Sequence, residues 1–218
     1  MHLPTYNGVT AMAVGVDAPH TVEADTSRPM AKPAIVWYGT SILQGGVSER
    51  SGTIFTNTIS RALNQEIYNF GFSGSGIMDL GVASFLTKID AAVIIIDCCK
   101  NMDGPSIGNK TVPLVHYLRA NGHANTTIVL VEGTKSGAQW FLPGVLASET
   151  ARNEALWRSY QELLAQGDSN LNYVSASQLF PDPLINPTVG GTHPTDLGMK
   201  FMADFYINYL PSLLSPSA

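Results

Sequence analysis

The chain is short of charge and of cysteine, and it has no long apolar run. Of its 218 residues only 13% are charged, with 12 Lys and Arg set against 17 Asp and Glu, giving a net charge of −5. Nucleic acids and anionic membranes are usually met by clustered Lys and Arg, so this balance argues against both and favours a small neutral or cationic partner. No apolar stretch reaches the roughly 18 residues of a membrane span, and Met1 to Lys32 has neither a basic start nor an apolar signal core. A soluble chain is expected, cytoplasmic or secreted with its signal removed. The two cysteines, Cys98 and Cys99, are adjacent and would close almost no loop as a disulfide, so packing is their expected role. Together with five scattered His they offer no metal-ligand spacing, and neither metal nor cofactor is expected.

What the chain does have is apolar mass, 44% of residues, enough for one sizeable core. The first 32 residues, rich in Pro, Thr, Ala and Gly, read as an arm, with Gly8 to Val16 alternating enough for a short strand. From residue 33 onward short β-branched runs alternate with longer helical patterns. Strands are expected at Ala34 to Tyr38, Glu66 to Phe70, Ala92 to Asp97, Thr127 to Glu132 and Leu171 to Val174. Helices are expected at Thr53 to Asn64, Met78 to Thr87, Thr111 to Asn121, Glu149 to Gln166 and Thr195 to Leu210. Strands such as Ala91 to Asp97 (AAVIIID) are apolar on both faces, which calls for helices above and below a parallel sheet. The expected fold is therefore a three-layer α/β/α domain, flavodoxin-like, over five parallel strands.

In such sheets ligands bind beyond the carboxyl ends of the strands. Four strand-end segments carry chemistry. Gly39-Thr40-Ser41-Ile42 puts a Ser on a strand-to-helix turn, where it could be a nucleophile or simply shape the turn; Thr40 beside it is a candidate pocket residue. Asn69 to Gly76 (NFGFSGSG) has glycines that allow close backbone approach, yet its spacing is neither a dinucleotide fingerprint nor a phosphate loop. Asp97 to Met102 (DCCKNM) offers Asn101, whose carboxamide could donate to a developing oxyanion or fix a turn. Gly190 to Gly198 (GGTHPTDLG) holds His193 ahead of Thr195, the expected N-cap of the last helix. Trp140, after the fourth strand, could line a substrate pocket or pack its loop.

The order of these blocks, Ser, Gly, Asn and His after the first, second, third and fifth strands, resembles the SGNH (GDSL-type) hydrolase superfamily. GTSI stands for its Gly-Asp-Ser-Leu block, Gly74 for the second, Asn101 for the third and His193 for the fifth. DCCKN and THPTDLG look most like a bacterial branch with Gly-Thr-Ser-Ile at the nucleophile, and the resemblance runs from Ala34 to Tyr209. It implies a serine esterase in which His193 deprotonates Ser41, Ser41 attacks an ester carbonyl, and the Ser41 and Gly74 N–H groups with Asn101 hold the oxyanion. The small-molecule ester implied carries a short acyl group, acetyl on carbohydrate by family analogy. The Pro-rich start also resembles the tail of a β domain that precedes the hydrolase domain in some relatives.

One departure stands out. The fifth block normally reads Asp-x-x-His, and here Gly190 occupies the acid's place. Losing that acid costs about 10⁴-fold in turnover in well-studied triads, so impaired activity is expected unless a carbonyl in Pro187 to Gly191, or Asp182, Glu132 or Asp196, orients His193. The same vacancy motivates a second reading, a weakly active or non-catalytic binding protein with this fold. A third, a flavodoxin-like signalling domain, would need an Asp cluster or phosphate loop. Oligomeric state is left open.

Overall fold

A computed structural model describes residues 2–24, 26, 30–180 and 186–214. Its frame is a parallel sheet of five strands: β1 (Ala31–Gly39), β2 (Gln65–Gly71), β3 (Ala91–Asp97), β4 (Thr127–Val131) and β5 (Leu171–Val174), in the order β2-β1-β3-β4-β5. Around it lie α1 (Ser41–Gln44), α2 (Phe55–Leu63), α3 (Leu80–Leu86), α4 (Gly104–Ala120), α5 (Pro143–Ala165), α6 (Ala176–Leu179), α7 (Asp196–Tyr209) and α8 (Pro211–Leu214).

Alternation along the strands divides the core in two. Val36, Tyr38, Ile94, Ile96 and Leu130 face one way and pack against Leu86 of α3, Ile107 and Leu114 of α4 and Leu156 of α5. Ile35, Trp37, Val93, Ile95 and Val129 face the other way, onto Phe55 of α2 and Met199 and Tyr206 of α7. Strands buried on both faces need such cover, and each fully buried Ile or Leu contributes roughly 1.5–3 kcal/mol. Trp37 and Tyr206 meet edge to face, with ring centroids 4.5 Å apart.

The expected strands and the three-layer fold are present, with small shifts at their ends. Two helices start earlier than the sequence suggests: α4 at Gly104 and α5 at Pro143. Both carry Pro in the first turn, where its missing N–H has no intrahelical acceptor to lose. The strand expected at Gly8 to Val16 does not form, for the segment is exposed and no sheet strand pairs with it. No helix of the described residues is long and apolar enough to cross a membrane.

Candidate active site

The chain order of the sheet reverses at β1, so connections leaving the adjacent ends of β1 and β3 go to different sides and open a crevice. Ser41 follows β1 and Asn101 follows β3. Thr40 caps α1, its Oγ1 accepting from Ile42 N at 3.3 Å. Being buried and used this way, Thr40 presents no pocket surface. Ser41 is the first residue of this one-turn helix, so its own N–H has no intrahelical acceptor. The helix stops at Gly45, whose φ of +100° suits a left-handed cap.

His193 reaches the same point from 152 residues away: its Nε2 lies 2.8 Å from Ser41 Oγ. It is carried by a hairpin of β6 (Thr188–Val189) and β7 (His193–Pro194). Of the three connecting residues, Gly190 and Gly191 have φ of +60° and +74°, and Thr192 N donates to Val189 O at 3.2 Å. Positive φ at both central positions is the type I′ turn of a tight hairpin, which gives the two glycines a conformational reason to be there. Thr195 then caps α7 through Gly198 N. A Cβ on Gly191 would approach Ser136 Oγ and Ala138 Cβ to 3.1 Å, so the hairpin tip rests on the loop after β4.

The Gly74 segment forms a turn in which Ser75 N and Gly76 N both donate to Phe72 O at 3.0 Å. Gly74 itself has φ of +68°, is exposed, and spends its N–H on no described residue. Gly76 N also donates to Asn101 Oδ1 at 3.3 Å. That bond commits the Asn101 oxygen and leaves its Nδ2 hydrogens without a protein acceptor among the described residues. Ser41 N, Gly74 N and Asn101 Nδ2 are thus unspent donors on three strand-end segments that touch one another. Their contact is backbone on backbone: a Cβ on Gly76 would come within 2.2 Å of Gly39 O, and one on Gly39 within 2.6 Å of Asp97 O.

None of the described groups considered for the acid's role holds His193. Asp196 Oδ1 accepts from Glu49 N at 3.0 Å and from the Ser48 and Thr53 hydroxyls. Glu132 accepts from Tyr173 OH and Ala176 N, each at 2.8 Å. Asp182 lies outside the described residues. Among the described residues no group, side chain or carbonyl, bonds His193 Nδ1. The cysteines are buried, Cys98 Sγ near Tyr38 O and Cys99 Sγ near Val131 O, and burial pushes both thiols well above their ordinary range. Trp140 stands 72% exposed beside an equally exposed Phe141, on a turn over Gly137–Trp140.

The sequence reading missed two features. The first residues lie against the Ser41 turn: Gln44 Nε2 donates to Thr5 O and Gln44 Oε1 accepts from Ser73 N, both at 2.9 Å, while Tyr6 OH sits 3.5 Å from Ser41 O. At the end of β3, Asp97 is buried beside the Trp37 indole N–H and Tyr206 OH, with no well-formed hydrogen bond to Oδ2. Burial, only partly offset by the Trp37 indole and the Lys100 charge, pushes its carboxyl up to about 7. An acid directly after an isoleucine run was the available signal.

No curated protein matches this sequence. Among solved structures, a Bacteroides ovatus protein assigned to the GDSL-like lipases is 32% identical, with a TM-score of 0.80 over 85% of this chain and 54% of its own. A salicylyl-acyltransferase from a tetracycline biosynthetic pathway is 21% identical, with a TM-score of 0.73 over 91% of this chain and 58% of its own. A two-domain esterase active on acetylated mannans is 20% identical, with a TM-score of 0.60 over 83% of this chain and 49% of its own. The chain therefore spans about half the length of these relatives. The family model of GDSL-like lipases and acylhydrolases matches residues 32–211, almost the whole of the α/β/α domain. The chain belongs to the GDSL-like lipase/acylhydrolase family.

Proposed function

We propose that the chain is a serine esterase that removes small acyl groups, acetyl foremost, from carbohydrate alcohols. The observation that carries this reading is the 2.8 Å contact between Ser41 Oγ and His193 Nε2 at the carboxyl end of the sheet. His193 Nε2 takes the hydroxyl proton as Ser41 Oγ bonds to the ester carbon, and the carbonyl electrons move onto oxygen. Ser41 N, Gly74 N and Asn101 Nδ2 stabilise that oxyanion. The imidazolium then protonates the departing alcohol, and water, activated by the same imidazole, releases the acid from Ser41. Among the described residues no long apolar lid covers the crevice, which favours a short acyl group; the carbohydrate preference rests on the likeness to the mannan-active esterase.

A weakly active or non-catalytic reading is favoured by one observation: among the described residues His193 Nδ1 has no partner. A fluorophosphonate probe separates the two. Stoichiometric labelling located on Ser41 by mass spectrometry, and absent in Ser41→Ala, is expected. No adduct at high probe concentration, or an adduct that survives Ser41→Ala, would overturn the esterase reading in favour of binding.

A further inference from the structure

Beside the hairpin that carries His193 lies a cavity of about 430 Å³. Gly190 and Thr192, from the hairpin, line one side, and Lys100, the neighbour of Asn101, lines another. The Lys100 charge is already used. Its Nζ lies 2.8 Å from Glu149 Oε1 and donates to Thr134 O at 2.8 Å, while both Glu149 oxygens accept from Ser136 N. Both side chains of this pair are less than a tenth exposed, so they form a closed, neutral floor.

Arg152, on the wall formed by α5, is different. Its Nε donates to Met102 O at 2.6 Å, which fixes the plane of the guanidinium. Among the described residues neither Nη group has an acceptor, and no carboxylate lies within ion-pairing distance. Asp103, the residue after Met102, accepts from Ser106 N through Oδ1 at the start of α4, and it feels the Arg152 charge without forming an ion pair with it. Although the whole chain is acidic, this cavity holds a cation in fixed orientation that forms no ion pair among the described residues, with Leu142 and Val145 as its apolar rim. A planar guanidinium presents paired N–H groups that match a carboxylate, and partial exclusion of water strengthens the pairing.

Resting on the esterase reading, we propose that this cavity is a subsite for a carboxylate on the alcohol part of the substrate, with Arg152 as its receptor. His193 protonates the departing oxygen, and the hairpin that carries it borders the cavity through Gly190 and Thr192. The substrate class is an O-acylated hydroxy acid, of which an O-acetylated uronic acid is the carbohydrate form. Arg152 is a specificity determinant and touches no reacting atom.

The probes are 4-acetoxybenzoate and its methyl ester, which share acyl group and ring and differ in the anion. Wild type should show the higher kcat/KM on the carboxylate, chiefly through KM. In Arg152→Gln the ratio of the two kcat/KM values should fall about 10- to 100-fold, with Arg152→Lys in between. A ratio within the same protein sample is independent of how much of a variant is folded. A wild-type ratio near one, or a ratio unmoved by Arg152→Gln, overturns the subsite. If neither ester is hydrolysed, the esterase reading fails instead, and calorimetry with 4-hydroxybenzoate and methyl 4-hydroxybenzoate decides the subsite separately. Selective loss of the carboxylate's binding in Arg152→Gln would sustain it, and equal binding of the two compounds would overturn it.

Discussion

Gly190 stands where the family places its acid, and two properties make it replaceable. A Cβ there would have no heavy atom within 4 Å, and φ of +60° at the first centre of a type I′ turn is a conformation that Asp followed by Gly adopts well. Gly190→Asp should fold, and its carboxylate, if it reaches His193 Nδ1, fixes the productive tautomer and stabilises the imidazolium. We expect kcat on a short-chain ester to rise, by less than the ~10⁴-fold lost when such an acid is removed, with KM little changed. No gain in a folded Gly190→Asp, with Ser41→Ala inactive, would mean that His193 needs no further orienting group. In the proposed mechanism Asn101 is one oxyanion donor, and Asn101→Ala should lower kcat about 10²- to 10³-fold. Equal losses in kcat/KM and kcat would place its effect in the transition state, whereas a rise in KM alone would make Asn101 a turn residue.

Strand and helix ends decide most of the chemistry. Asp97 closes β3 beside Trp37 of β1 and Tyr206 of α7, and burial raises its carboxyl from an ordinary 3.8 to about 7. Between those values the folded state binds more protons than the unfolded state, so stability falls as pH rises through this window and levels off above about 7. Asp97→Asn lacks the titration. Its melting temperature should gain on wild type from pH 4.5 to pH 7 and keep a constant lead above, each pH unit within the window being worth about 1.4 kcal/mol. A difference that is flat with pH would show that Asp97 titrates alike in both states. The same ends explain what the sequence conceals. Gly104-Pro105 and Pro143-Gly144 read as breaks in a chain pattern, yet Pro is favoured in a first helical turn, so α4 and α5 were shortened at their starts. The paired strands β6 and β7 have two residues each, too few for any alternation to register. Gly8 to Val16 shows the converse, since alternation without a neighbouring strand edge makes no strand.

Across the whole molecule, the five strands and two apolar layers were legible because β-branched runs buried on both faces have few other uses. Ser41 and His193 were legible only through the order of the blocks, no local pattern linking residues so far apart. The place of the chain's start was hidden altogether, since its link to the site runs through backbone groups, with Gln44 holding Thr5 O on one side and Ser73 N on the other. Deleting residues 1–6 should therefore free the turn that carries Gly74 and lower kcat about 10-fold, short of the 10²-fold that a 1 Å misplacement can bring. Unchanged kcat with an unchanged melting temperature would make that segment a bystander. The backbone-on-backbone contacts of Gly39, Gly76, Gly71 on Gln44 N and Gly198 on Pro187 O leave no room for even a methyl group. Diversity in this chain is accordingly partitioned. In a randomised library these four positions should return only glycine, while exposed Trp140, Phe141 and Leu142 accept almost any residue, so new substrates are to be sought by varying the rim and never the frame.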